Sequence, residues 1–414
     1  MSSALAAIPR SAAADQPIPV SGACLRSPEI ARDPYPTYAH LRELGDIVRL
    51  SNERCYAATT YESVTAVLRS RQATVESPFR ASRVLFGRTV MDVDGDEHIQ
   101  LRALSSRAFS VAAVPAYEDT IVAEAVRAVI DDLDGRPSFD AVADFADRVP
   151  IAVMSAVIGV PRELREPFRA CSEDVIAFLD TATPENRDRA RTALARMSAD
   201  LTEVIAATRA RPDGTLIGQL VTGTGSKGPL TDEEILRHIG LLIPAAIDTS
   251  NRLLANVIAC LVTRPTLLDQ VTADPRLVPG VVDETLRFEP PIHSTVRIWT
   301  GTEVCGVTLP RGALITVLLA SANRDRAVFA DPDSFDPTRD ASRHVSFGAG
   351  RHRCMGRAMA QVEVVGAITA LLRRCPGLRL APGAGTAITG TAFRSPTTLP
   401  LEYTPTEHPH LERP

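Results

Sequence analysis

Apolar residues recur at helical spacing through most of residues 60–287, which predicts a mainly helical protein. The longest run follows Thr231-Asp-Glu-Glu234, a capping box in which a threonine and a glutamate three residues later satisfy the first N–H groups of a helix. Pro244 lies inside this helix and predicts a kink, because proline removes one helical hydrogen bond. A long central helix is therefore expected, with apolar positions at Ile235, Ile239, Leu242, Ile243, Ile247, Leu253, Leu254, Val257 and Ile258.

Short strands are predicted in two parts of the chain by alternating apolar and polar residues. A helical segment at 35–44 precedes a predicted hairpin formed by residues 47–50 and 56–59. Further strands are expected at 295–298, 314–319 and around 378–401. Proline and glycine interrupt the helical part at 78–95, 137–138, 161 and 222–229.

One mainly α domain with a small β part is the fold class that these patterns predict for residues 21–404. Residues 1–20 are expected to be a flexible lead-in, and residues 405–414 a disordered tail. The lead-in has no apolar run long enough for a signal peptide or a membrane span, which favours a cytoplasmic protein. The net charge of -5 gives no reason to expect nucleic acid, and seven cysteines without a C-x-x-C pair indicate a reducing compartment.

The most informative segment is Phe347-Gly-Ala-Gly-Arg-His-Arg-Cys354-Met-Gly356. Glycines allow positive φ angles or close approach to a flat ligand, and the arginines and histidine add donors and positive charge. A helical pattern follows from Ala358, so the partial positive charge of a helix N-terminus should favour a thiolate. We therefore expect a lowered pKa for the Cys354 thiol and a metal bound there.

This segment resembles the haem-ligand signature of the cytochrome P-450 family, F-x-x-G-x-[HR]-x-C-x-G, and matches it at every fixed position. The resemblance covers residues 33–403. It implies the family fold, with a long central helix over a haem cofactor (heme b) whose iron is held by Cys354. Phe347, Gly348, His352 and Gly356 of the same loop would contact the haem.

Three further motifs resemble the family pattern. In Glu284-Thr-Leu-Arg287 the acid and the base share one helical face, and with Arg339 the resemblance implies a structural network that holds the cysteine loop. An exposed surface ion pair is the alternative.

The second motif, Ala245-Ala-Ile-Asp-Thr-Ser250, is similar to the oxygen-activation motif of the family. Asp248 and Thr249 would be catalytic and would relay protons during activation of O2. Ala246, which by the same resemblance would lie beside the haem, stands where glycine is more usual in the family. The alternative is that the Thr249 hydroxyl only bonds a carbonyl of its own helix.

The third motif is a set of donors for the two haem carboxylates. His98 and Arg102, spaced i,i+4, resemble the H-x-x-x-R pair of the family, and Arg297 and His352 resemble the remaining donors. For each one, an ordinary surface side chain is the alternative.

A lipophilic small-molecule substrate is the next expectation, because the positions that resemble the chamber walls are mostly apolar. They are Leu242, Ala245, Ala246, Ile292 and Phe393, with His293 and Ser294 as orienting groups. Arg80, Arg83 and Arg88 either pair with an anionic group of the substrate or are simply solvated.

The resemblance implies a monooxygenase of soluble bacterial type, working as a monomer. Electrons would come from NAD(P)H through a ferredoxin reductase and a ferredoxin. A basic patch could attract the acidic ferredoxin, and a merely solvated face is the alternative interpretation. The patch consists of Arg102, Arg107, Arg351, Arg353 and Arg357. Other oxidations, a peroxide-driven haem enzyme and a haem-binding sensor remain alternatives. A zinc site formed by His344, His352 and Cys354 is the non-haem alternative.

Overall fold

A computed structural model describes residue 25 and residues 27–50, 55–106, 108–225 and 228–404. The expected lead-in at 1–20 and tail at 405–414 lie outside the described residues. The helices are α1 (Pro28–Arg32), α2 (Tyr35–Leu44), α3 (Tyr61–Arg69), α4 (Ala81–Phe86), α5 (Gly95–Ser106), α6 (Pro115–Tyr117), α7 (Ala123–Asp131), α8 (Val149–Ile158), α9 (Arg165–Asp180), α10 (Pro184–Ala210), α11 (Leu216–Thr222), α12 (Asp232–Val262), α13 (Pro265–Ala273), α14 (Val278–Phe288), α15 (Leu319–Ala322) and α16 (Arg357–Arg374).

The strands are short and fall into small sheets. They are β1 (Ile47–Arg49), β2 (Cys55–Ala58), β3 (Ala73–Thr74), β4 (Ser138–Asp140), β5 (Thr224–Gly225), β6 (Gly228–Pro229), β7 (Ser294–Trp299), β8 (Glu303–Val304), β9 (Val307–Thr308), β10 (Ala313–Leu318), β11 (Arg379–Leu380) and β12 (Pro400–Glu402). The largest sheet has the order β1-β2-β10-β7-β3, and a second has the order β11-β12-β4. Strand β10 runs parallel to β2 and antiparallel to β7. The mainly α prediction with a small β part is confirmed.

The predicted hairpin and the two later strands are confirmed as β1–β2, β7 and β10. The short strands β3, β5, β6, β8 and β9 were not predicted, and two further features were missed. Helix α4 lies inside the segment expected to be irregular at 78–95, and β4 begins at the predicted interruption at 137–138. Strand β4 has three residues and pairs with β12, so its stability comes from a distant segment rather than from a local pattern.

Helix α12 runs through the middle of the core, and the predicted capping box opens it. The Thr231 hydroxyl accepts the N–H of Glu234 at 3.2 Å, and the Glu234 carboxylate accepts the N–H of Thr231 at 2.9 Å. The helix continues past the buried Pro244. By length and composition α12 is the one described helix that could cross a membrane, but 72% of its apolar window is buried inside the fold. Its apolar character is therefore that of a core helix.

Two apolar cores flank the segment that carries Cys354. The larger surrounds α12 and includes Ile239, Leu254 and, from α16, Ile368. The smaller lies under the large sheet and includes Trp299, Ile315 and, from the start of the cysteine loop, Val345 and Ala349. The loop is thus fixed by packing at its beginning and by α16 at its end.

Candidate active site

The cysteine loop has the backbone that its glycines predict. Gly348 and Gly350 have φ angles of +69° and +70°, a region that residues with a Cβ rarely adopt. A Cβ on Gly350 would lie 2.4 Å from the Leu68 carbonyl oxygen, so this glycine also permits close packing on α3. The Cys354 N–H donates to the Phe347 carbonyl at 2.8 Å and closes the loop. Gly356, with φ of -83°, directly precedes α16.

The Cys354 side chain is solvent-accessible, but it lies deep in the fold, where many protein atoms surround the thiol. Burial raises the pKa of the thiol, and this effect exceeds the lowering by the Gly356 N–H, by Arg102 and Arg353, and by the Arg357 N–H. The expectation of a lowered pKa is therefore wrong for the protein alone. The groups that favour a thiolate are present, but a cation bonded to the sulfur is needed to outweigh desolvation.

Glu284 and Arg287 form an ion pair with no solvent exposure. The Arg287 Nε and Nη2 atoms donate to the two carboxylate oxygens at 2.8 and 2.7 Å. Arg339 lies 3.4 Å from the same carboxylate, which also accepts the Asp336 N–H at 2.8 Å. The structure therefore brings the three predicted residues together, and the alternative of an exposed surface pair is excluded.

Asn323 connects this pair to the cysteine loop and was not predicted from the sequence. Its carbonyl accepts from Arg287 Nη1 at 3.1 Å. Its side chain accepts the Val345 N–H at 2.8 Å and donates to the Ser346 hydroxyl at 2.7 Å. Asn323 ends the short helix α15, and no local motif marks it. The contacts fix the chain just before Phe347.

His98 and His352 lie side by side near the cysteine loop, with ring centroids 4.3 Å apart. His98 is buried, and among the described residues its Nε2 atom has no hydrogen-bond partner. Burial, with smaller contributions from His352 and Arg102, lowers the pKa of His98 to about 4. His352 contacts Asp94 at 2.9 Å. An anionic acceptor beside His98 would accept a hydrogen bond from the unpaired Nε2 atom and raise the pKa of the imidazole again.

Arg297 is a buried cation without an acidic partner among the described residues within 4 Å. Its guanidinium contacts only Thr295 Oγ1 at 3.1 Å and the Val296 carbonyl at 2.8 Å, both on its own strand. Burial, then the nearby Arg80, lowers its pKa to about 10. Arg102 donates to the Arg353 carbonyl at 2.9 Å. The set fits a ligand with carboxylates, such as the two of haem, because buried charges normally have counter-ions.

The middle of α12 has one accessible face. Ala245, Ala246 and Thr249 are partly exposed, whereas Ile243, Ile247 and Ser250 are buried. The Thr249 hydroxyl donates to the Ala245 carbonyl at 3.0 Å, the local bond that the alternative interpretation proposed. Asp248 pairs with Arg252, at 2.7 and 3.1 Å, an interaction that was not predicted. Burial raises the pKa of Asp248, and Arg252 opposes that rise.

The predicted substrate chamber is partly supported by backbone pairing. Ile292 and Phe393 form an antiparallel bridge, so two of the proposed walls adjoin. His293 is fully buried against Tyr35, Tyr38 and Glu289, which contradicts its proposed role in orienting a substrate.

Two of the three loop arginines, Arg80 and Arg88, lie close to carboxylates of the protein. Arg88 pairs with Glu97, and Arg80 lies 3.5 Å from the buried Asp92. Arg351, assigned to the basic patch, contacts Asp94 at 3.4 Å, and Arg107 lies outside the described residues. The exposed part of the described patch is reduced mainly to Arg353, with Arg102 half-buried beside it.

The zinc alternative fails on geometry. Across the described part of the chain, no three His, Cys, Asp or Glu side chains are grouped as metal ligands. His344 accepts the Ser346 N–H at 3.2 Å and packs on Phe347, while His352 faces Asp94 and His98.

Comparison with known proteins agrees with the geometry. The family profile described as Cytochrome P450 matches residues 141–376. The biotin biosynthesis cytochrome P450 of Bacillus subtilis (strain 168) is 31% identical over 366 residues, which are 86% of this chain and 92% of the relative. This chain belongs to the cytochrome P450 family. As a cytochrome P450 it is a monooxygenase, and the family fold implies haem and O2.

Other relatives extend this assignment. The cytochrome P450 monooxygenase PikC of Streptomyces venezuelae is 32% identical over 367 residues, 85% of this chain and 86% of the relative. The crystal structure of P450BioI in complex with a hexadec-9Z-enoic acid ligated acyl carrier protein has a TM-score of 0.84 and 29% identity. The superposition includes 91% of this chain and 100% of the P450BioI chain.

We predict that Arg287→Met lowers the free energy of unfolding by about 3 to 5 kcal/mol, because it leaves the buried Glu284 carboxylate without its main partner. Chemical denaturation followed by circular dichroism measures this. Arg276→Met is the matched control: its side chain is 89% exposed and pairs with Asp274, so we expect a change below about 0.5 kcal/mol. Equal stability of the two variants would refute the structural role of the pair.

Proposed function

We propose that this cytochrome P450 inserts one oxygen atom of O2 into a lipophilic small molecule of bacterial secondary metabolism, by hydroxylation or epoxidation. The observation that carries the proposal is the convergence of the Cys354 loop with two buried donors, His98 and Arg297, for which the described residues provide no acidic partner within 4 Å. A ligand that offers both a metal for the sulfur and carboxylates for the donors would satisfy all three groups.

Cys354 is the proposed iron ligand, and each neighbouring residue has a role toward the haem. His98, Arg102, Arg297 and His352 would hold the propionates by charge-assisted hydrogen bonds. Phe347, Gly348 and Gly356 would line the cysteine side, and Ala246 the opposite side. Bound haem supplies the O2 chemistry, and a thiolate ligand favours cleavage of the O–O bond.

Asp248 and Thr249 are the proposed proton relay. The buried Asp248 has a raised pKa, so it can take up and release a proton more readily near neutral pH than an exposed aspartate. Thr249 uses its proton for the Ala245 carbonyl in this structure, but its oxygen keeps lone pairs and the hydroxyl can rotate. During proton transfer, the Thr249 hydroxyl would therefore release the Ala245 carbonyl and donate a different hydrogen bond within the site.

An apolar substrate is favoured by the side chains around the accessible face of α12. Leu242, Ala245, Ala246, Ile292 and Phe393 carry no polar atoms. A related structure, P450BioI, is described with a hexadec-9Z-enoic acid attached to its carrier protein, and another, P450epoK, with epothilone D. Both ligands are largely lipophilic, in agreement with the proposed substrate class.

The proposed electron route runs from NAD(P)H through a ferredoxin reductase and a ferredoxin. Arg102 and Arg353 lie on the cysteine side, where positive charge would steer an acidic ferredoxin. We further propose that the protein is a cytoplasmic monomer formed by one domain at 21–404. Other haem oxidations, a peroxide-driven reaction and a non-catalytic sensor are alternatives.

We predict that haem-loaded protein gives the red-shifted ferrous carbonyl absorption of thiolate-ligated haem, and that Cys354→Ala abolishes it. The reason is that the band requires a thiolate ligand to the haem iron, and Cys354 is the proposed source of that thiolate. Cys55→Ala, which changes a half-buried cysteine on β2, should retain the band. An unshifted carbonyl spectrum in the unmodified protein would refute the proposal.

Thr249→Ala separates O2-driven oxidation from the alternatives. With NADH, ferredoxin and reductase, and a substrate selected by its displacement of iron-bound water, we expect the fraction of NADH that yields product to fall roughly tenfold or more. Reaction with added hydrogen peroxide should be retained, since it needs no proton relay from O2.

Thr263→Ala is the matched control, because its hydroxyl makes the same i-4 bond on the same helix, at 2.7 Å from the Ala259 carbonyl. If both variants couple NADH to product as well as the unmodified protein, Thr249 is not part of the relay.

A further inference from the structure

Arg252 contacts both the proposed proton donor and a wall of the proposed chamber. Its Nε and Nη2 atoms donate to the Asp248 carboxylate at 2.7 and 3.1 Å. Its Nη1 atom donates to the Ser395 hydroxyl at 3.1 Å. The guanidinium also lies over the Phe393 ring, 5.8 Å from its centroid. One side chain therefore joins α12 to the segment at 389–395.

The segment at 389–395, here called the Phe393 loop, is a tight unit. Thr389 and Ser395 exchange two backbone hydrogen bonds of 3.2 Å across it. Gly390 has a φ of +120°, and a Cβ there would lie 2.0 Å from the Phe393 carbonyl oxygen, so the turn requires glycine. Because of these constraints, a force on the Phe393 ring is transmitted to Ser395 rather than absorbed inside the loop.

Phe393 lies where a ligand in the proposed chamber would contact its ring. It is half-buried and bridges to Ile292, the second proposed wall residue, whereas its neighbour Arg394 is buried. Arg394 bonds carbonyl oxygens on both sides, including those of Ala31 at 2.7 Å and Ile388 at 2.8 Å. The loop is therefore anchored at Arg394 and accessible at Phe393.

Asp248 is surrounded by few charges, so its pair with Arg252 dominates its electrostatics. On its own helix the partner is Arg252, and Asp180 at the end of α9 acts in the opposite sense. Asp147, before α8, interacts with both members of the pair. Asp180 also accepts a hydrogen bond from Thr391 of the Phe393 loop at 3.2 Å. Asp180 is thus tied to this loop directly, and Asp248 is tied to it through Arg252 and Ser395.

We propose that Arg252 is a positioning residue that couples occupancy of the substrate chamber to proton delivery. While the chamber holds no substrate, Arg252 keeps the Asp248 carboxylate in an ion pair and slows delivery of protons to O2. A substrate that presses on Phe393 displaces the loop, and Arg252 with it, which frees Asp248. The inference rests on the proposed function, in which Asp248 is the proton donor.

Loss of Arg252 is expected to raise the pKa of Asp248. Arg252 stabilises the charged form of Asp248, so its removal raises the pKa of a group that burial already raises. A higher pKa means that more Asp248 carries a proton at a given neutral or alkaline pH. Each additional pKa unit multiplies that protonated fraction by about ten when the pH is well above the pKa.

Arg252→Gln tests the proposal without any substrate. The haem-loaded, full-length protein is supplied with NADH, ferredoxin and reductase, and the release of hydrogen peroxide is measured, in which two electrons from NADH and two protons convert O2 to H2O2. We expect peroxide release to rise by up to about tenfold and to persist to higher pH. Arg237→Gln breaks an exposed i,i+4 pair with Glu233 on the same helix and should change nothing.

A double-mutant cycle tests the link to the chamber wall. Phe393→Ala should raise peroxide release in the same direction, and Arg252→Gln combined with Phe393→Ala should raise it no further than Arg252→Gln alone. Additive effects would overturn the coupling. If Arg252→Gln proves unstable, Ser395→Ala replaces it, because this variant removes only the hydrogen bond between Arg252 and the Phe393 loop. A smaller rise in peroxide release is then expected.

Hydrogen–deuterium exchange adds a readout that is independent of turnover. Amides of residues 389–395 should exchange faster in Arg252→Gln and not in Arg237→Gln. Faster exchange with unchanged peroxide release would mean that Arg252 only anchors the loop, and the proposal would be wrong. The ferrous carbonyl spectrum of each variant shows separately whether the haem–thiolate centre is intact, so failure of the proposed function is recognised by that spectrum alone.

Discussion

The buried ion pair between Glu284 and Arg287 is the interaction on which the rest of the site depends. Removing two charges from water is costly, and such a pair is tolerated only when further hydrogen bonds satisfy its remaining polar atoms. Here the carbonyls of Asn323, Pro332 and Ser334 accept from Arg287. These carbonyls belong to the segment that leads into the cysteine loop, so satisfying the charges also fixes the backbone before Cys354.

The site combines a cationic side with an apolar side, and each constrains what can bind. His98 and Arg297 supply buried donors that have no acidic partner within 4 Å in the described part of the chain, which favours a ligand with carboxylates. We propose that the small residues Ala245 and Ala246, on the accessible face of α12, form the opposite side. A flat, amphipathic group with one polar edge would suit such a site, and haem, which the cytochrome P450 family implies, is a group of this kind.

Local features could be predicted from the sequence, whereas features that join distant segments could not. The capping box of α12 and the glycines of the cysteine loop act within a few residues, and the structure has both. Asn323 and β4 were missed because their partners lie far away along the chain. His293 was assigned to the chamber by position, but Tyr35 and Tyr38 enclose it. The pKa of Cys354 was misjudged because burial cannot be read from a motif.

The central claim is that the sulfur of Cys354 is bonded to iron in the folded protein. X-ray absorption at the iron K-edge measures the atoms bonded to iron without reference to activity or to any substrate. The account predicts one sulfur scatterer at bonding distance, together with the four nitrogens of the haem. A spectrum fitted by nitrogen and oxygen scatterers alone would contradict it.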